Sequence, residues 1–375
     1  MSSLYIHIPF CLSKCFYCSF SSFPQMGEHH DRYVQSLLTQ IRTSYPEKHK
    51  KALETLFIGG GTPTVLRAGK LVEIIETCRE VYGFSDDAEI SIEANPGTID
   101  RAKLSALDDA GVNRLSVGVQ SFNNQDLQVL GRAHRSDKSI QAADDAHEAG
   151  FTNISLDLMY GLPGQNVESW EKNLEQAVAL HPQHLSLYQL TIEEDTAFYA
   201  RYLNDSLGLP DDEAILAMEQ VTREYLGAHG IEQYEISNYA RAGYECRHNI
   251  GYWRNEEFVG CGAGAAGFCN GKRYKVITDP LLYCAAVESG EDVIEESEVL
   301  STEASFRETV VMGLRLIKGI DKRRLSDRYH LTLDDQYGSE VTDLVRKGFL
   351  EETEDYLRLT VQGRRYANQV MAELV

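Results

Sequence analysis

Short apolar or β-branched runs alternate with longer amphipathic stretches through the first two thirds of the chain. The runs 4–8, 55–58, 89–92, 114–119, 154–158 and 184–190 have the length and residue types of strands. Between them, apolar positions recur three and four residues apart over 31–43, 68–82, 101–110, 136–149, 167–180 and 211–228, the spacing of one helix face. Gly83, Gly111, Gly150 and Gly230 follow the last apolar positions of four of these stretches, where glycine closes a helix. Six strands alternating with helices predict parallel β/α units with right-handed crossovers. Six units are fewer than the eight of a closed barrel. The expectation is an α/β protein with an open, partial (β/α)6 TIM-like barrel over residues 1–235.

Beyond about residue 235 the pattern changes. Residues 236–298 read as a loop-rich cover and connection: 237–271 are rich in Gly, Asn and aromatics and are expected over the barrel mouth, and an acidic connecting run follows at 288–298. Residues 299–375 read as helices at 304–316, 322–329 and 333–347, a hairpin at 349–359 and a last helix at 362–374. That order suits a small α+β, winged-helix-like C-terminal domain. The segment in the place of a recognition helix, 334–346, mixes acids with bases, so DNA binding is not expected of it.

Charge narrows the picture. The 375 residues carry a formal charge of −21, which argues against nucleic acid as a partner and against adsorption to anionic lipid. No apolar run approaches the roughly 20 residues of a membrane helix. The first residues lack the basic and apolar regions of an export signal, so a reducing, cytoplasmic compartment is expected.

The residues with chemical character fall after the strands, on the side where barrels build active sites. Cys11, Cys15 and Cys18 follow the first strand, Gly59-Gly60-Gly61-Thr62-Pro63 the second and Glu93 the third. Gln120, Asp157 and Thr191 occupy the corresponding places in the fourth, fifth and sixth. Three thiolates are one too few for a closed tetrahedral zinc site unless His7 completes it. They suit a [4Fe–4S] cluster whose fourth iron stays open to a small molecule. Glycines let a ligand approach the backbone, a carboxylate such as Glu93 can accept from a ribose diol, and Arg132 can hold a carboxylate. Together these groups describe a pocket for S-adenosylmethionine beside the cluster.

The cysteine triplet, the GGGTP loop, Ile92-Glu-Ala-Asn-Pro96, Gly118-Val-Gln-Ser-Phe122 and Asp157-Leu-Met-Tyr-Gly-Leu-Pro163 together resemble the radical-SAM family, in particular its coproporphyrinogen-oxidase branch. The resemblance runs over nearly the whole chain. It implies that Cys11, Cys15 and Cys18 ligate the cluster. It also implies that Tyr5, Tyr17, Gly60, Gly61, Thr62, Glu93, Gln120, Arg132, Asp157 and Thr191 line the S-adenosylmethionine site, Tyr5 through its backbone. The branch's decarboxylating enzyme has a further cysteine two positions after the third ligand, where this chain has Phe20, and an amino-terminal extension before the first strand.

His248-Asn-Ile-Gly-Tyr-Trp253 is similar to the HNxxYW signature of the HemW-type haem chaperones, which implies haem ligation through His248. That group commonly carries a histidine in the loop 260–267, where Ala266 stands here. The function implied is a haem chaperone that receives haem or a porphyrin and delivers haem to apoproteins, membrane-associated ones among them; a homodimer stays open. Two alternatives remain: an oxygen-independent coproporphyrinogen III oxidase, and a radical-SAM enzyme with another substrate.

Overall fold

The computed structural model describes residues 2–44, 51–204 and 206–375. Six strands pair in parallel and in chain order: β1 (Ser3–Ile8), β2 (Leu53–Gly60), β3 (Phe84–Ala94), β4 (Arg114–Gln120), β5 (Ile154–Tyr160) and β6 (His184–Gln189). The connecting helices are α1 (His30–Thr43), α2 (Ala68–Tyr82), α3 (Arg101–Asp109), α4 (Ser136–Glu148), α5 (Val167–Ala179) and α6 (Asp212–Ala228). All twelve expected elements are present, and the sheet does not close on itself.

The strands alternate. Ile6, Ile8, Leu56, Ile58, Ile92, Val117, Leu156 and Leu185 point one way into the main core, against the helices. The intervening residues Thr55, Glu89, Ser91, Arg114, Ser116, Ser155, His184 and Ser186 point into the barrel and are buried although polar. Parallel sheets are ordinarily apolar on both faces. This one has a greasy outside and a polar lumen.

The amino-terminal end of that lumen is stoppered by α7 (Arg247–Trp253). The Glu89 carboxylate accepts from the Arg247 and His248 backbone N–H groups at 2.8 and 3.1 Å, satisfying donors that a helix start leaves without partners. Segment 236–298 therefore differs from the expected cover. Its HNxxYW helix goes to the base of the barrel, opposite the mouth. The rest extends the sheet: β7 (Phe258–Cys261) runs parallel to β1, and β8 (Ala266–Cys269), β9 (Lys272–Val276) and β10 (Ile294–Val299) follow antiparallel. The later part of the acidic run, from Ile294, became an edge strand. Its exposed Glu295, Glu296 and Glu298 oppose further strand pairing by repulsion, which composition alone cannot distinguish from a linker.

The C-terminal part has its own core, with Phe306, Val310, Leu344 and Leu357 at its centre. Helices surround a three-stranded antiparallel sheet of Ile320–Asp321, Tyr356–Leu359 and Leu350–Glu352. The single helix expected over 333–347 breaks at Gly338, whose φ of 45° is left-handed. No helix among the described residues is long and apolar enough to cross a membrane.

Replacing Glu89 with Ala should loosen the stopper, because two buried N–H groups lose a charged acceptor. Urea unfolding followed by circular dichroism should show a loss of about 3 kcal/mol. Stability equal to the wild type would refute this role for Glu89.

Candidate functional site

At the carboxyl ends of the strands lies a cavity of about 770 Å³. Cys11, Cys15, Cys18, Tyr17, Gly60, Gly61, Thr62, Glu93, Gln120, Arg132, Asp157 and Thr191 all line it. Only two of the expected site residues lie elsewhere, Tyr5 and His248.

The glycine loop is shaped by contact. Gly60 has a φ of 114°, and a Cβ there would press on the His7 ring at 2.8 Å. A Cβ on Gly61 would meet the Phe10 carbonyl oxygen at 2.7 Å and the Cys11 sulfur at 3.1 Å. The loop can thus lie against the cysteine segment only as glycine. Thr62 places Oγ1 3.5 Å from the Cys11 sulfur.

Glu93 accepts from the Gly60 N–H at 3.1 Å. Burial pushes its carboxyl up to about 8, the Asp157 carboxylate adds to the rise, and the Gly60 bond opposes it. Asp157 is raised too, chiefly by burial, against hydrogen bonds such as that from the Ser116 hydroxyl at 2.9 Å. Two carboxyls sharing one lumen cannot both ionise cheaply.

Gln120 has a φ of 66°, unusual for a residue with a side chain. The pairing register of β4 with β5 shifts between Gly118 and Gln120, and the bulge re-aims Gln120 into the cavity. Arg132 follows the left-handed Gly131 that ends helix Asn124–Leu130. It donates to the Gly118 carbonyl at 2.6 Å and to the Cys15 sulfur at 3.6 Å. Burial works against its charge, but Tyr17 and Cys15 beside it raise its pKa.

The three cysteines are free thiols on one loop. Burial pushes the Cys18 thiol up, with Cys15 and Cys11 adding to it against a backbone hydrogen bond at Phe20. Among the described residues no three His, Cys, Asp or Glu side chains converge in metal-binding geometry. The donor set itself fits an iron–sulfur cluster: three soft sulfurs, no disulfide, a glycine cradle against Cys11 and a cation beside Cys15. His7 is unsuited to complete a zinc site. Its Nε2 donates to the Ser21 carbonyl at 3.2 Å, leaving Nδ1 to accept from the Tyr5 hydroxyl at 3.0 Å. The Tyr5 side chain lies within the barrel, with its ring 6.3 Å from that of Phe57.

His248 requires a correction. Its Nδ1 lies 2.8 Å from Thr55 Oγ1 and its Nε2 2.8 Å from the Tyr252 hydroxyl, while its ring stacks on Phe57 at 5.2 Å. Burial lowers its pKa to about 3, so it is neutral. Both nitrogens are spent holding α7 in the barrel base, and neither is offered to haem iron. Phe20 stands at the cavity mouth, 68% exposed, with Leu12 at 56% beside it. Ala266 is exposed on β8, Cys261 is a buried thiol and Cys269 a half-buried one.

Sequence reasoning missed other wall residues, among them His134, Lys138 and Tyr188. His134 donates from Nε2 to the Val119 carbonyl at 3.3 Å and leaves Nδ1 buried without a partner. Burial and the Arg132 charge hold its pKa near 4. Tyr188 was legible: it occupies the third inward position of the sixth strand.

A sheet of six parallel strands with three cysteines, a glycine loop and buried carboxylates at one mouth defines a radical-SAM fold. Residues 5–177 match the Radical SAM superfamily and residues 300–366 the HemN C-terminal domain. Across its length the chain is 38% identical to the haem chaperone HemW of Bacillus subtilis (99% of this chain, 98% of the relative) and 36% identical to that of Escherichia coli (98% and 97%). The chain belongs to the HemW family of radical-SAM proteins. The solved structure of coproporphyrinogen III oxidase (HemN) from Escherichia coli is similar, with a TM-score of 0.87 and 25% identity, covering 100% of this chain and 89% of that one.

Between pH 4.5 and 8, folded Glu93 keeps a proton that the unfolded chain has lost, so its contribution makes stability fall as pH rises. Glu93→Gln should remove that slope in ligand-free protein. Relative to wild type, the variant should gain unfolding free energy on going from pH 6 to pH 8. An identical difference at both values would exclude the shift.

Proposed function

We propose that this protein is a haem chaperone: it carries a [4Fe–4S] cluster with S-adenosylmethionine, binds haem and delivers it to apoproteins. One observation supports the reading most, the gathering of twelve expected ligand residues around one cavity in a chain related over its full length to haem chaperones. Cys11, Cys15 and Cys18 are the cluster's ligands, and Arg132 beside Cys15 offsets thiolate charge. Gly60, Gly61 and Thr62 present backbone to the ligand. Glu93 faces the ribose, and Arg132, with Tyr17 against it, faces the methionine carboxylate. Gln120, Asp157 and Thr191 complete the wall. When bound and reduced, the cluster would supply one-electron chemistry to S-adenosylmethionine held beside it, in a supporting or regulatory role; delivery of haem itself needs no bond broken in the cargo.

The solved oxidase HemN favours a second reading, oxidative decarboxylation of coproporphyrinogen, since the two folds superpose. Phe20 counts against it. It puts an apolar ring at the cavity mouth, in the place where the oxidase branch carries a further cysteine.

Triple Cys11/Cys15/Cys18→Ala protein, purified without oxygen, should lose the broad brown absorbance and nearly all iron. A full cluster in that variant would end the ligand assignment. Wild-type protein with a reconstituted cluster, reductant and S-adenosylmethionine should bind haem, seen as a Soret shift, and leave coproporphyrinogen III unchanged. Formation of protoporphyrinogen IX would establish the oxidase reading instead.

A further inference from the structure

A second cavity, of about 460 Å³, lies between the sixth barrel strand and the C-terminal helices. Its wall collects Arg223, Arg315, Arg364 and Arg365, with Glu219 as the one carboxylate among the lining residues. In a chain of net charge −21 this concentration of cations runs against the composition. Arg223 approaches Glu219 only to 3.9 Å, and Arg315 lies over the Trp253 ring at 4.4 Å. Arg364 spends one N–H on the Gln233 side chain at 3.1 Å. Burial, followed by the Arg223 charge, lowers its pKa, the mark of guanidinium groups crowded away from water. Crowded, partly desolvated cations are relieved by an anion that bridges them, and the guanidinium fork matches a carboxylate.

The two cavities share a wall. Tyr188, Gln189 and Thr191 line both, and Tyr188 is 43% exposed between them. Tyr239 and Tyr366 add aromatic surface on the arginine side. A flat ligand with carboxylates at one edge can therefore set that edge among the arginines and its ring toward the cluster cavity.

We propose that this cavity holds the paired carboxylates of the tetrapyrrole, with Arg223, Arg364 and Arg365 as the residues that bind them. The inference rests on the haem-binding reading. It adds where the cargo's acidic edge sits, in a cavity that adjoins the S-adenosylmethionine site and shares only Thr191 with its expected ligands.

The test compares haem with haem dimethyl ester, whose carboxylates are capped, on cluster-loaded protein. Arg364→Ala/Arg365→Ala protein should bind haem at least about 10-fold more weakly than wild type, the effect of losing hydrogen bonds to a charged group. Wild type should bind the ester as weakly as the variant does. Arg365 is solvent-exposed, so Arg365→Ala alone leaves the fold intact and should show part of the loss, with Arg365→Lys restoring some of it. S-Adenosylmethionine affinity should stay unchanged in all variants. Equal affinity of wild type for haem and its ester, or of the double variant and wild type for haem, would overturn the inference and leave the haem-chaperone reading standing. Failure of wild type to bind either haem or metal-free protoporphyrin IX would overturn both.

Discussion

The fold depends on satisfying polar groups that are buried inside a barrel. Arg114 is buried in the lumen, with Glu89 and Asp157 both contributing to the field that keeps it charged. Isolated, each such charge would cost several kcal/mol. The cost is met by arrangement: Glu89 caps α7 below, Asp157 takes the Ser116 hydroxyl at mid-height, and Glu93 turns to the Gly60 amide above. The base must be stoppered so that the lower groups find partners. The mouth can stay open because Glu93 and its neighbours keep capacity for a ligand.

Much of this was legible in the sequence. The six strands and their helices follow from apolar periodicity, and the cavity's ligands from the rule that barrel loops after the strands carry the chemistry. The polar lumen was legible too but not read: Arg114-Leu-Ser-Val-Gly alternates as plainly as a half-exposed sheet. What a sequence could not say is which end of the barrel α7 would fill. His248 beside two aromatics looks the same as a haem ligand or a buried peg. The difference lies in Thr55 and Glu89, some 190 and 160 residues away in the chain and 2.8 and 3.1 Å away in space. The acidic run at 288–298 was opaque for the same reason, since the strand that starts within it, 294–299, depends on β9 beside it.

The likeness to HemN separates scaffold from task. Barrel, cysteine loop and C-terminal domain are common ground, and one fold can serve different chemistry through a few side chains at its mouth. Phe20 and Leu12 are such side chains here. They set exposed apolar area at the mouth, a surface suited to a flat cargo that arrives and leaves intact.

Tyr188 stands in the wall between two cavities, and a shared wall gives their occupants a route by which to act on one another. If a molecule in one shifts that ring, the affinity of the other changes. Linkage then requires the second occupant to change the affinity of the first by the same factor. A cargo carrier of this build would thus report the state of its nucleotide site in its grip on the cargo, with no moving domain, through the rotamer of one tyrosine.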